Sequence, residues 1–101
     1  MEIKDISKRI HKFQNERFSK YGSKLTPELI FTHLVEEIGE IARQIFSKGS
    51  GMRKYDQENL KEEITQSILD LLVLAELHEI DLEKEIEKKM KDMEQRWQPK
   101  K

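Results

Sequence analysis

The chain has no cysteine, which rules out disulfides and thiolate metal sites, structural zinc of the usual kind among them. No apolar run approaches the roughly 18 residues of a membrane span, so no membrane partner is expected. The opening Met1-Glu2-Ile3-Lys4-Asp5 has no apolar region of the signal-peptide type, and the expected location is the cytoplasm. An excess of charge of one sign is also missing: 19 basic residues face 20 acidic ones, for a net charge of -1. A nucleic-acid interface needs a basic surplus on one face, and none is expected here. Strand signals and internal repeats are absent as well.

What the chain has in plenty is charge, at 39% of residues against 36% hydrophobic. This is the composition of surface-rich helices whose core is completed by a partner subunit. A length of 101 residues fits one domain spanning 1–101, able to bury roughly two-thirds of its surface at best. Gln98-Pro99-Lys100-Lys101 is a short basic end, read as a frayed tail.

Four helices are predicted. Ile3, Ile6, Ile10, Phe13 and Phe18 keep helical spacing from about Glu2 to Tyr21, and Gly22-Ser23 stops them. Thr26 is a predicted N-cap, with Pro27 at the first helical position, of a helix running to about Phe46. Its apolar side carries Leu29, Leu34, Ile38, Ile41, Ile45 and Phe46. Ser47-Lys48-Gly49-Ser50-Gly51 then reads as the start of a flexible loop reaching Asp56, the predicted cap of the third helix. Around Ile68–Ala75 that helix is apolar nearly all round, which places it at the bundle centre or in a subunit interface. Asp81 caps the fourth, where Leu82, Ile86, Met90, Met93 and Trp97 form a coiled-coil-like seam. The fold class expected is all-α, a four-helix bundle-like domain completed by oligomerisation.

Two acidic clusters carry the chemistry: Glu36-Glu37-Ile38-Gly39-Glu40, and Glu62-Glu63-Ile64-Thr65-Gln66 followed by Asp70. At 100° per residue, Glu40, His33 and Gln44 lie about 60°, 40° and 20° behind Glu37. Gln66 and Asp70 lie about 60° and 20° behind Glu63. In so charged a chain such stripes ordinarily face water. Here each borders the apolar side, and Gly39 sits mid-helix at a cost of roughly 1 kcal/mol relative to alanine. Two such faces set against each other would repel unless a divalent cation lay between them, and oxygen-only ligands suit Mg2+ and with it a phosphate substrate.

At these residues the chain resembles the MazG-like nucleotide pyrophosphohydrolases, an all-α family with Glu-Glu-x-x-Glu on one helix and Glu-x-x-Asp on the next. Glu36-Glu37-Ile38-Gly39-Glu40 matches the first half completely. Thr26-Pro27-Glu28, Leu74-Ala75 and Ile80-Asp81-Leu82 look like further family landmarks, so the resemblance covers nearly the whole chain. It implies Glu37, Glu40 and Glu63 as metal ligands, Glu36 and Glu63 as catalytic groups, and Lys89 and Arg96 on the phosphates. It also implies Mg2+, with Mn2+ as the other candidate, and cleavage of a nucleoside triphosphate to monophosphate and pyrophosphate in nucleotide-pool house-cleaning. A homodimer or tetramer is the implied assembly, with the site often completed between subunits.

The chain departs from the pattern at three places. Gln66 stands where the second motif has aspartate, offering a neutral carbonyl oxygen in place of a charge. Asp70 is the obvious substitute, but it lies about 10.5 Å along the axis from Glu63, too far to share one ion with it. Gln66 and Asp70 are therefore carried as candidate ligands, Asp70 for a second ion or a bridging water. If helices two and three run antiparallel, Asp70 falls near His33, and a structural His33–Asp70 pair is expected. Met93 and Glu79 replace a usual asparagine and a usual glycine. Arg17 and Lys20 are read as solvated, and Lys48, Arg53 and Lys54 belong to a loop able to close over a nucleotide. Two other readings stay open: a non-catalytic nucleotide-binding or dimerising helical module, favoured by Gln66, and a phosphoribosyl-ATP pyrophosphohydrolase, disfavoured by Glu36 and Gly39.

Overall fold

The computed structural model describes residues 1–97; the basic end at 98–101 lies outside them. Four helices follow one another: α1 (Ile3–Lys20), α2 (Pro27–Ser50), α3 (Gln57–Leu77) and α4 (Leu82–Arg96). No strand occurs among the described residues, and no helix is long and apolar enough to cross a membrane.

Local chemistry sets the helix starts. The Thr26 hydroxyl accepts from the Leu29 N–H at 3.2 Å, with Pro27 in the first turn. The Asp56 carboxylate accepts from the N–H groups of Glu58 and Asn59, and that of Asp81 from Lys84. Each satisfies donors that a helix start leaves unpaired. α2 runs one turn past the expected Phe46. Its serines do not break it, because the Ser47 hydroxyl turns back onto the Arg43 carbonyl at 2.7 Å. Termination waits for Gly51, whose φ of 69° is left-handed and whose N–H caps the Ser47 carbonyl. The loop that follows is correspondingly short. After α3 the left-handed position falls on Glu79 (φ 56°), the site where a glycine was expected from the resemblance. A non-glycine residue there costs roughly 1–2 kcal/mol.

α3 is the central element, packed on α2 along one side and on α1 along another. Two contacts fix α2 and α3 as antiparallel: His33 meets Asp70, and the Gln44 side-chain oxygen accepts the Asp56 N–H at 2.8 Å. Gln44 is thus buried as a clamp on the connection into α3. Leu25, Ile30, Leu34, Leu72, Val73 and Ala75 form the buried apolar set.

That core is thinner than the apolar spacing suggested. α4 packs mainly on α1 and buries none of its residues. The radius of gyration is 17.0 Å and the extents 59 × 42 × 24 Å, where a compact domain of this length has a radius near 13 Å. Phe31, Val35, Ile38 and Ile45 on α2, Ile68 and Leu71 on α3, and Met90 and Met93 on α4 are all about half exposed. The three packed helices leave these side chains uncovered within the chain.

Candidate functional site

A cleft of about 540 Å3 opens between α2 and α3, with α1 along its side. Glu37 and His33 enter from α2, Glu62, Glu63 and Gln66 from α3, and Arg17 from α1. The antiparallel register places these groups together, since residues a turn apart on one helix meet residues a turn apart on the other.

Beneath the cleft lies a wholly buried carboxylate. Asp70 has 0% exposure. Its Oδ2 accepts from His33 Nδ1 at 2.8 Å and its Oδ1 from Gln66 Nε2 at 3.1 Å. His33 Nε2 faces Glu37 Oε1 at 3.2 Å. A continuous path of polar contacts therefore runs Gln66–Asp70–His33–Glu37. The His33–Asp70 pair is the one expected from the sequence. Asp70, carried as a candidate ligand, has each of its oxygens engaged inside the protein by the register that brings His33 and Gln66 onto it.

Glu63 differs from the other acids. Its Oε2 is buried and has no hydrogen-bond partner. Such an atom is costly to leave unmatched, and the residue that carries it lines the acidic cleft. An oxygen lacking a donor, opposite a second carboxylate, is a donor set suited to a hard divalent cation. Among the described residues, no three His, Asp or Glu side chains converge on one point in this arrangement. Glu37 is turned to His33, and Glu40 pairs loosely with Arg43 at 3.8 Å. Both Glu40 and Arg43 are substantially exposed, and an ion pair of that kind is worth little.

The other candidates fall in different places. Glu36 lines a neighbouring cavity of about 370 Å3, walled by Phe18 and Tyr21, which shares Arg17 and His33 with the acidic cleft. Gln14, whose Oε1 is buried without a partner, also lines it. Lys89 and Arg96 are on α4 and line neither cavity; Arg96 pairs with Asp92 at 2.8 Å. Lys48 lies over the Tyr55 ring at 5.3 Å, and Arg53 and Lys54 are exposed outside both cavities. Arg17, read as solvated, is the basic residue that joins the two cavities. Gln14 had a legible signal: it continues the four-residue spacing of Ile10 to Phe18, so a polar amide sits on a buried face.

The site is thus an all-helical one: an acidic cleft between antiparallel helices, with Arg17 at its side. The family follows from comparison: residues 25–99 match the model of the MazG nucleotide pyrophosphohydrolase domain, and the chain belongs to that family. No curated protein and no solved structure matches it. α1, which supplies Arg17 and Gln14, lies outside the matched residues.

Replacing His33 by alanine leaves Asp70 Oδ2 buried with no donor. His33→Ala is expected to cost about 2 kcal/mol, seen as a fall of roughly 10 °C in Tm. A melting curve that does not move would mean the buried carboxylate does not need this partner.

Proposed function

We propose that the protein is a Mg2+-dependent nucleoside triphosphate pyrophosphohydrolase, converting a ribo- or deoxynucleoside triphosphate and water to the monophosphate and pyrophosphate. The observation that carries this reading is the partnerless buried oxygen of Glu63 in an acidic cleft, within a chain of the MazG family.

In this reading Glu37 and Glu63 hold the ion, with Mn2+ the alternative to Mg2+. Glu40 joins by turning from its exposed pairing with Arg43. When bound, the cation neutralises phosphate charge and lowers the pKa of a water. Arg17 faces the phosphates where the two cavities meet. The nucleoside end lies in the cavity walled by Phe18 and Tyr21. Glu36 is exposed and lines that same cavity, a free carboxylate for accepting the proton of the attacking water. Lys89 and Arg96 reach the phosphates only from the α4 of a second copy.

A homo-oligomer fits the same picture. Phe31, Val35, Ile38, Ala42 and Ile45 recur at spacings of four, three, four and three, the pattern of a helix-pairing seam. They lie roughly 80–160° round α2 from Glu37, clear of the cleft, and the four large ones are 51–60% exposed. Gly39 borders the seam, and a Cβ built there would meet nothing within 4 Å, which leaves room beside it for a neighbouring copy.

The test of activity is pyrophosphate release from a panel of nucleoside triphosphates with Mg2+ or Mn2+. Glu63→Gln is expected to lower turnover at least about a hundredfold, since the ion loses its buried ligand. Release that the variant leaves untouched would refute the site. Binding without turnover, with activity appearing in Gln66→Asp, would instead make the wild-type chain a nucleotide-binding module. For the assembly, sedimentation of Ile38→Asp is expected to give a monomer where the wild type gives a dimer or tetramer; an unchanged assembly would place the interface elsewhere.

A further inference from the structure

We infer that Asp70 is a positioning residue that makes Gln66 a metal ligand. This rests on the cation-binding reading of the cleft. The second acidic motif has lost its final carboxylate to Gln66, and an amide, unlike a carboxylate, has only one oxygen. Which end of the amide faces the cleft therefore decides whether position 66 attracts a cation or repels it.

Asp70 settles the orientation. Its Oδ1 lies 3.1 Å from Gln66 Nε2. An ionised carboxylate is an acceptor only, so it takes the amide NH2 and cannot take the carbonyl. The NH2 end is drawn inward to the wholly buried Asp70, and the carbonyl oxygen is the end left for the cleft that Gln66 lines. Rotation of the amide would set its carbonyl against a buried carboxylate and leave Oδ1 without a donor, which is strongly unfavourable.

The other oxygen of Asp70 acts on the opposite helix. It holds His33 Nδ1 at 2.8 Å, and the far side of that ring meets Glu37 Oε1 at 3.2 Å. One buried carboxylate thus orients a candidate oxygen ligand on α3 directly and another on α2 through a ring. Partners of this kind, which touch the ligands and not the ion, commonly change metal affinity ten- to a hundredfold. Asp70 does not restore the missing ligand by coordinating an ion itself; it makes the neutral replacement usable.

The experiment is Mn2+ binding by calorimetry on the full chain, with no nucleotide present. Asp70→Asn can turn its own NH2 toward Gln66 and release the amide, and is expected to weaken Mn2+ binding about tenfold or more. Asp70→Asn combined with Gln66→Glu is expected to regain most of that loss, because a carboxylate presents oxygen whichever way it turns. Asp70→Asn combined with Gln66→Leu is expected to bind no more weakly than Asp70→Asn alone, since the misdirected amide already contributes nothing. Wild-type affinity in Asp70→Asn would overturn the inference. So would a failure of Gln66→Glu to restore binding, or a further full loss with Gln66→Leu. If the wild-type chain binds no Mn2+ at all, the cation reading of the cleft fails, and this inference with it.

Discussion

A carboxylate with no exposure is the constraint on which the rest of the structure depends. Burying Asp70 is unfavourable unless its oxygens are matched, and the matching partners sit on different elements: Gln66 one turn back on α3, and His33 on α2. Sliding α2 along α3 by a turn would strip one oxygen of its donor. The register is held at the far end by Gln44 on the Asp56 N–H. Between these two clamps the acidic stripes of α2 and α3 have nowhere else to go, and Glu37 and Glu63 come to share a cleft. The energetic logic is that of a polar network which specifies one arrangement among several that hydrophobic packing alone would tolerate.

The second constraint is a shortage of apolar cover. The core is small, α4 contributes nothing wholly buried, and the chain is drawn out along one axis. The uncovered side chains are not scattered. On α2 they form a continuous seam turned away from the acidic cleft, so a second copy could cover them without obstructing it. The same division explains why α2 is apolar over much of its circumference: one part packs on α3 inside the chain, and another is left outside.

Much of the fold was legible in the sequence because its punctuation is local. Thr26-Pro27, Asp56 and Asp81 announce helix starts through hydrogen bonds to residues two or three positions on, and these bonds are present. The serine-glycine stretch misled for an equally local reason. Ser47 satisfies its hydroxyl on the preceding turn, and only Gly51 adopts the left-handed backbone that ends a helix. The His33–Asp70 pair could be anticipated because antiparallel pairing turns sequence spacing into position. Its depth could not, since burial depends on the third helix lying alongside. Arg17 was harder still: its place depends on how α1 lies against the other helices, a tertiary fact that no spacing within α1 encodes, whereas the spacing of Ile10, Gln14 and Phe18 did mark Gln14 as lying on the packed face. Lys89 and Arg96 show the converse, basic residues matched by resemblance that one chain alone does not bring to its cleft.

Glu63 concentrates the functional argument in a single atom. Its Oε2 is withdrawn from water and lacks a donor, and its residue shares a cleft with Glu37, a condition that a divalent cation would relieve. The most direct measurement is anomalous diffraction from crystals of the protein grown with Mn2+. The account predicts a peak at coordination distance from Glu63 Oε2 and from the carboxylate of Glu37. A peak lodged elsewhere, or none at saturating Mn2+ with Glu63 Oε2 still unpartnered, would contradict it.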